Sequence, residues 1–282
     1  MAILPRTTLA YAYDTLNCLF GTPTHVSPET YTRTETQFKQ HTIPLLNEIS
    51  VYAAQDARVL IVGCGDGVEI DWFARRCASV VAVDVAHDVL ERAKKRSAKH
   101  SNVACRLVDG RTLPFGDNEF DLVFMHDVCE HIIYIEECFA EYFRVLKPGK
   151  VLINTFAPLF YSPYGAHLQD ALKMPWGHLI FGLRAVVDVR NRYHSDHIEA
   201  SNWSGLALNR ITERRYRKIV KNTGFRDQLY LIQISKNLPL VSHIPFVRNL
   251  FIMGIKNFLL KPPLTDSQSE RVHVLTSLPT AP

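Results

Sequence analysis

The stretch Arg58-Val-Leu-Ile-Val-Gly-Cys-Gly-Asp-Gly67 decides the fold of this chain. Its first half, Arg58–Val62, is a short apolar run, and glycine then occupies every second position at 63, 65 and 67. A short apolar run that ends at a turn signal predicts a buried β-strand. Glycine permits a sharp turn and lets a ligand approach the backbone, because no Cβ stands in the way. Helical spacing follows over Val68–Arg76, so the segment predicts a strand, a glycine turn and a helix N-terminus with free N–H groups.

Apolar runs and helical spacing alternate from this turn as far as residue 155. The further strands predicted here are Ser79–Val83, Val103–Val108, Phe120–Met125 and Val151–Thr155. The helices predicted between them are His87–His100 and Ile132–Leu146. Strands that alternate with helices at this spacing predict an α/β fold with a parallel sheet that helices cover on both faces.

The flanking segments are less regular. Before the core, Pro28 or Thr30 is expected to open a helix that runs through Phe38 to Ile49. After it, residues 157–209 are rich in aromatic residues, histidine and proline. That stretch is too long for a plain connection. The elements predicted after it are a helix Thr212–Asn222, a strand Gln228–Ile234, an apolar helix Pro245–Leu260 and a short strand Arg271–Leu275. We therefore expect a helical lead-in over 1–56, a core over 57–156, a substrate lid over 157–210 and a C-terminal part over 211–282.

An acidic residue ends the second predicted strand. Asp84 comes 21 residues after Gly63, where an open α/β sheet places an acid against ribose hydroxyls. The glycine spacing here is GxGxG, whereas the dinucleotide fingerprint is GxGxxG. An NAD-dependent oxidoreductase is therefore an alternative that this turn does not favour.

Further segments in the same order resemble the class I S-adenosylmethionine (SAM)-dependent methyltransferases, and are closest to their type 11 subgroup. Besides the glycine turn and Asp84, these segments are Asp109–Phe115, Phe120–Val123 with His126–His131, and Leu146–Lys150. The resemblance covers residues 58–155. It implies a Rossmann-like, seven-stranded, mostly parallel sheet with an antiparallel last strand, here Arg271–Leu275, and a lid insertion after strand five.

The resemblance also implies SAM as the cofactor and S-adenosylhomocysteine as the product. It assigns the ribose to Asp84 and the adenine amino group to Asp109. Ile61 departs from the family pattern, because members often carry an acid at this position that holds the methionine amino group. In this chain Asp66, the carbonyl of His126 or a residue of the N-terminal helix would have to take the place of that acid. The residues expected to bind the cofactor are Gly63, Gly65, Asp66, Gly67, Asp84, Val85, Asp109, Gly110, Arg111, His126 and Asp127.

The methyl acceptor is expected beyond the carboxyl ends of strands four and five. Methyl transfer from a sulfonium is an in-line displacement that sometimes requires removal of a proton. Histidine titrates near neutrality, and His131, His167 and His178 are the candidate catalytic bases, although each also suits a structural role. The pair His194 and His197 is a weak metal pattern, and no metal is expected.

These observations predict an enzyme that methylates a small organic molecule, of the natural-product or other secondary-metabolite type, at oxygen. Transfer to nitrogen, carbon or sulfur is an alternative. A methylase of RNA or protein and a SAM-binding module without catalysis are two more functions that this fold could serve. The net charge of +4 argues against a nucleic-acid partner.

Composition suggests where the protein acts. The six cysteines form no CxxC pair, which is typical of reduced thiols in a cytoplasmic protein. The first residues lack a signal-peptide pattern, and no apolar stretch reaches the length of a membrane span.

The apolar segment Ile244–Leu260 is expected to pack on the core or in a homodimer. The alternative is contact with a membrane surface through Arg248, Lys256 and Lys261.

Overall fold

The computed structural model describes residues 8–25, 38–234, 248–263 and 274–275. The chain divides into two compact units. We call the first the helical unit; it comprises Met1–Tyr31, Ala157–Glu213 and Ile232–Gly254. The second, the core unit, comprises Thr32–Phe156, Arg214–Leu231 and Ile255–Pro282 and contains the glycine turn.

The described strands form one sheet. They are β1 Arg58–Val62, β2 Ser79–Asp84, β3 Val103–Leu107, β4 Phe120–His126, β5 Leu146–Phe156, β6 Arg226–Ile234, β7 Ile252–Leu260 and β8 Val274–Leu275. Their order is β3-β2-β1-β4-β5-β7-β6-β8. Neighbours from β3 through β5 pair in parallel, and β7 pairs antiparallel with β5. The predicted Rossmann-like fold class is confirmed.

The helices connect these strands or belong to the helical unit. They are α1 Thr8–Leu19, α2 Ile43–Glu48, α3 Ile70–Ala74, α4 His87–Ser97, α5 Ile135–Val145, α6 Gly177–Tyr193 and α7 Glu213–Thr223. The predicted helix start at Pro28 or Thr30 lies outside the described residues. Across the described ranges, every helix is too short or too polar to cross a bilayer.

The centre of the sheet explains why β1 is apolar at successive positions. Val59–Val62 are all buried, because β1 lies between β2 and β4 and helices cover both faces of the sheet. Phe124 of β4 is also buried and its ring lies 5.1 Å from that of Phe73 in α3. The residues that follow β1 are therefore held on a rigid base.

The apolar helix predicted for Pro245–Leu260 is wrong. Within the described residues, Ile252–Leu260 is strand β7, and its pairs with β5 run from Val151↔Leu260 to Phe156↔Ile255. A short apolar run does not distinguish a buried strand from a helix, and the pairing partner here is remote in sequence.

The antiparallel strand of the fold is therefore β7, and its predicted position at Arg271–Leu275 is wrong. Val274 and Leu275 form β8, which pairs in parallel with Tyr230 and Leu231 of β6. Residues 271–273 lie outside the described part of the chain.

Strand β7 also corrects the interpretation of this segment as a membrane-surface helix. Phe258 and Leu259 are buried. Lys256 forms an ion pair with Glu48 at 2.6 Å, and Lys261 Nζ donates at 2.7 Å to the backbone carbonyls of residues 143 and 146. Both lysines are therefore held by protein groups and do not line one face of a helix.

The helical unit joins the start of the chain to the insertion after β5. Helix α1 packs on α6: the rings of Tyr13 and Phe181 stack at 4.7 Å, and Tyr193 donates to Asp14 at 2.9 Å. Asn17 donates to the carbonyl of Ala171 at 2.7 Å. The predicted lead-in over 1–56 is thus divided between the two units, and its first helix folds with the predicted lid. The role of residues 157–210 as a lid stays a prediction.

Strand β7 can be tested by Phe258→Ala. The ring is buried and meets Tyr52 edge to face at 5.7 Å, so we expect a loss of about 3–5 kcal/mol in the free energy of unfolding in urea. Lys256→Ala on the same strand is the control, and losing its partly exposed ion pair should cost about 1 kcal/mol or less. Equal losses in the two variants would contradict the assignment.

Candidate active site

The turn after β1 depends on glycine at every second residue. Gly63, Gly65 and Gly67 have φ angles of 62°, 53° and 82°, a region that side chains with a Cβ rarely adopt. The amide of Cys64 donates to the carbonyl of Val83 at 3.0 Å, and the amide of Gly67 donates to the carbonyl of Cys64 at 2.9 Å. The first bond holds the turn against the end of β2, and the second closes the turn on itself.

Two of these glycines differ in what surrounds them. A Cβ on Gly63 would lie 2.5 Å from Cγ2 of Val128, so this position has no room for a side chain. A Cβ on Gly65 would meet no protein atom within 4 Å. The backbone at Gly65 therefore borders open space, as a position that receives a ligand requires.

Asp84 links this turn to the end of β2. One carboxylate oxygen accepts from the amide of Gly65 at 2.9 Å and the other accepts from the amide of Ala86 at 3.0 Å. A carboxylate oxygen has a second lone pair, so Asp84 can accept from ligand hydroxyls while it holds both amides.

A cavity of about 420 Å³ lies beside this turn within the core unit. This volume falls in the usual range for small-molecule and cofactor sites. Its walls come from the ends of β1 and β2 and from the segments after β3 and β4. They include Val62, Gly63, Asp84, Val85, Asp109, Gly110, Arg111, Asp127, Val128, His131, Ile132, Tyr134 and Cys138.

The wall after β3 is a loop organised by Asp109. Its Oδ1 accepts from the amides of Arg111 and Thr112 at 2.8 and 2.9 Å, and these bonds hold the pKa of the Asp109 carboxyl below its usual range. The guanidinium of Arg111 lies 3.4 Å from the ring centre of Tyr134, so the two side chains form a cation–π pair. This wall thus combines the carboxylate of Asp109 with the aromatic ring of Tyr134, which comes from the segment after β4.

Cys138 closes the same wall but does not act as a nucleophile. Its Sγ donates to the carbonyl of Gly110 at 2.8 Å, and burial raises the pKa of its thiol to about 11. The neutral thiol form, which is weakly reactive, therefore dominates near neutral pH.

The opposite end of the cavity is formed by the residues that follow β4. Asp127 has a φ of 55° and its amide donates to the carbonyl of Thr155 at 2.8 Å, which fixes the turn out of the sheet. His126 Nδ1 lies 3.1 Å from Oε1 of Glu69. His131 borders the cavity, with its Nε2 4.0 Å from Oε1 of Glu130.

The structure brings most of the predicted cofactor residues to this cavity. Those in its wall are Gly63, Asp84, Val85, Asp109, Gly110, Arg111 and Asp127. Gly65, Gly67 and His126 belong to the same turns but are not wall residues. Asp66 instead forms an ion pair with Arg96 of α4 at 2.9 Å. A direct role of each residue in binding stays a prediction.

The three predicted bases are placed differently. His131 borders the cavity of the core unit, whereas His167 and His178 belong to the helical unit. In that unit, His167 Nε2 lies 2.8 Å from the carbonyl of Pro158, and His178 Nε2 lies 2.6 Å from the carbonyl of Phe160. Burial also lowers the pKa of His178. The contact of His178 with Phe160 is that of a histidine that holds a backbone segment in place.

Sequence reasoning did not single out two groups of residues here. Ile132 and Tyr134 line the cavity, and the apolar and aromatic residues directly after His131 were a usable signal for them. Glu69 is buried beside the glycine turn. A glutamate at the start of a predicted helix gives no sign that it will be buried.

The sequence matches the family model described as a methyltransferase domain over residues 60–154. This range runs from the middle of β1 through most of β5 and contains every wall residue of the cavity. It also includes Asp84 and Asp109, the two acids expected at the ribose and the adenine.

Two curated relatives match parts of the same region. The 24-methylenesterol C-methyltransferase 2 of Arabidopsis thaliana is 31% identical over 139 residues, which is 47% of this chain and 38% of that protein. The demethylmenaquinone methyltransferase of Tropheryma whipplei (strain Twist) is 35% identical over 95 residues, which is 34% of this chain and 39% of that protein. The chain thus spans about two fifths of the length of each of these relatives.

Solved structures share the fold over a longer part of the chain. The cyclase SpnF superposes with a TM-score of 0.55 at 17% identity, over 93% of this chain and 100% of that one. At this identity the similarity describes the fold, and it does not transfer an activity.

The open space at Gly65 can be tested with S-adenosylhomocysteine, the ligand that the methyltransferase match implies. Gly65→Ala should lower its affinity about ten-fold or more by calorimetry, because the methyl group would project beside the cavity.

Gly149→Ala is a matched control for this substitution. Gly149 has a φ of 74° and an equally open Cβ position, but it lies in the turn at the start of β5. Both variants should lose about 1–2 kcal/mol of stability from backbone strain. A similar affinity in both variants would contradict a ligand site at Gly65.

Proposed function

Because the chain carries a class I SAM-dependent methyltransferase domain, we propose that it transfers the methyl group of SAM to an oxygen atom of a small organic acceptor. One observation carries this proposal: Gly63 of the glycine turn lines one cavity together with the acids Asp84, Asp109 and Asp127, which lie at or just after the ends of β2, β3 and β4. The acids and the turn match, residue by residue, the segments that resemble the family.

The order of the strands predicts the orientation of the cofactor in the cavity. Along the sheet, the loop of Asp109 follows β3, Asp84 ends β2, the glycine turn follows β1, and Asp127 follows β4. A ligand that lies across these four strand ends would place adenine at Asp109 and Tyr134 and ribose at Asp84. Its methionine end would then lie between Gly63 and Asp127.

The residues present fit this ligand. The ring of Tyr134 and the apolar Ile132 suit a flat base, and Asp84 retains lone pairs for ribose hydroxyls. Gly65 leaves space that a side chain would otherwise fill. When bound, SAM supplies a methyl group on a sulfonium, which is electrophilic without help from a metal.

His131 is the candidate proton acceptor for a hydroxyl group of the acceptor. It borders the cavity, and its imidazole is partly exposed and near the carboxylate of Glu130. An imidazole in the cavity wall can take a proton from a hydroxyl group. Transfer to a hydroxyl oxygen requires such a step because the hydroxyl loses its proton during the reaction.

Transfer to carbon of an apolar acceptor is the second candidate. The Arabidopsis thaliana relative is named as a sterol C-methyltransferase, and that name favours a carbon atom in an apolar molecule. The two candidates differ in the product, because only an oxygen acceptor yields a methyl ether or ester.

We also propose a reducing, cytoplasmic location. The six cysteines are present as thiols, and four of them, Cys64, Cys77, Cys129 and Cys138, are buried. Reduced thiols are typical of proteins in reducing compartments. The homodimer expected from the sequence stays a prediction.

The activity is tested by incubating the protein with methyl-labelled SAM and fractions of a metabolite extract. Label transferred to a small organic product supports the proposal, and the chemical shift of the labelled methyl group assigns it to oxygen or carbon. Label in RNA or protein, or in no product although S-adenosylhomocysteine binds, would contradict it. The second of these outcomes would favour a binding module or a chemistry such as that of the cyclase.

Asp84→Ala tests the ribose contact. We expect the affinity for S-adenosylhomocysteine to fall by about 1–3 kcal/mol, because the variant loses a polar partner of the ligand and an anchor of the glycine turn. Asp88→Ala, an exposed acid on the following helix, should bind as the wild type does. An unchanged affinity in Asp84→Ala would show that the ribose lies elsewhere.

His131→Gln tests the proton acceptor once an acceptor molecule is known. We expect kcat to fall about 100-fold or more while the affinity for S-adenosylhomocysteine stays within about two-fold of wild type. His87→Gln is the control, since His87 is exposed on α4. An unchanged kcat in His131→Gln would exclude this residue as the base.

A further inference from the structure

Arg210, in the helical unit, adopts a backbone conformation that favours glycine. Its φ angle is 55°, in the left-handed region that residues with a Cβ rarely adopt. The neighbouring residues hold it there: Leu208 and Ile211 are buried, and the side-chain oxygen of Asn209 accepts from the amide of Ile211 at 2.9 Å. Glycine would follow this path with less strain. The path of the backbone therefore does not explain why the residue is an arginine.

The side chain of Arg210 lies over two aromatic rings. Its Cζ atom is 5.2 Å from the ring centre of Phe160 and 5.9 Å from that of Tyr161, which are distances of cation–π contacts. One N–H of the guanidinium also donates to the hydroxyl of Tyr161 at 3.1 Å. These contacts hold the guanidinium in one place although the residue is exposed.

The rings under Arg210 belong to a packed aromatic cluster. Phe160 is buried and meets Trp203 edge to face at 5.0 Å and His178 at 5.2 Å. The bond of His178 to the carbonyl of Phe160 fixes the backbone at the same point. Tyr161 and Trp203 are only half-buried, so part of this aromatic surface is open to solvent.

The guanidinium keeps donors that no protein group uses. Arginine carries five N–H donors, and the hydroxyl of Tyr161 accepts from one of them. Among the described residues, no carboxylate forms an ion pair with Arg210. Because the Tyr161 hydroxyl accepts this bond, its own proton is available to a further acceptor. A charged planar donor and a hydroxyl donor therefore lie side by side.

We propose that Arg210 and Tyr161 form a binding site for the carboxylate group of a small organic molecule. The planar guanidinium can bind a carboxylate through two parallel hydrogen bonds. The half-buried rings of Tyr161 and Trp203 suit the apolar part of such a molecule.

The charge of the cluster favours a carboxylate over a phosphate. Arg210 is the only arginine or lysine among the residues that these contacts join, and one cation matches a singly charged group better than a doubly charged one. The inference goes beyond the proposed function and does not depend on it, because every contact that carries it lies within the helical unit.

The test uses the whole protein with ¹⁵N-labelled arginine, and it compares benzoate with benzamide, its uncharged counterpart. Benzoate should shift the Nε–H signal of Arg210 to saturation in NMR spectra, whereas benzamide should not. Arg210→Lys keeps the charge but loses the planar pair of donors, so it should weaken benzoate about ten-fold or more. Arg184→Lys, the same change at an exposed residue of α6, should bind as the wild type does.

Arg210→Gly separates binding from folding. Glycine relieves the left-handed strain, so this variant should unfold thermally at the wild-type temperature or above it, and it should no longer bind benzoate. Tyr161→Phe keeps the ring and removes the hydroxyl, and it should weaken benzoate about three-fold or more. A lower unfolding temperature in Arg210→Gly with benzoate binding intact would show that Arg210 only packs on the rings, and would overturn the proposal.

Three results with the wild-type protein would also overturn it. They are the lack of a saturable shift with benzoate, an equal response to benzamide, and tighter binding of inorganic phosphate than of benzoate. None of these results bears on the assignment of the cofactor, which rests on the core unit.

Discussion

The hydrogen bond from the amide of Gly65 to Asp84 holds the turn after β1 against the end of β2. Its length of 2.9 Å and the charge on its acceptor make it a charge-assisted bond, which is stronger than one between neutral groups. The positive φ angles of the glycines permit the turn, and this bond selects one arrangement of it. Because Asp84 also accepts from Ala86, the same carboxylate sets the start of the segment that leads into α4.

The parallel sheet brings this turn together with residues from other strands to form one site. Parallel strands end at the same edge, so residues that are remote in sequence line one cavity. Asp109, Asp127 and the glycine turn come from three different crossovers and meet there. The order β3-β2-β1-β4 spaces them along the sheet, and a long ligand with chemically distinct parts matches such a series. Fold alone does not fix the reaction, since the cyclase SpnF shares it.

Local signals predicted the part of the fold that carries the cavity, and non-local pairing decided the rest. The bounds of β1 were predicted as observed, since its apolar run and its glycine stop are both local. Strand β7 was mistaken for a helix because its partner, β5, is about a hundred residues earlier in the chain. The bond of His178 to the carbonyl of Phe160 depends on packing that no local sequence pattern reveals. Glu69 was missed for the same reason, because its burial depends on the position of β4.

The most direct test is a crystal structure of the protein with S-adenosylhomocysteine. We expect adenine beside Asp109 and Tyr134, ribose hydroxyls on the carboxylate of Asp84, and the amino-acid end between Gly63 and the residues that follow β4. A ligand bound elsewhere, or the same cavity filled by side chains with the glycine turn closed, would contradict the assignment of this cavity to SAM.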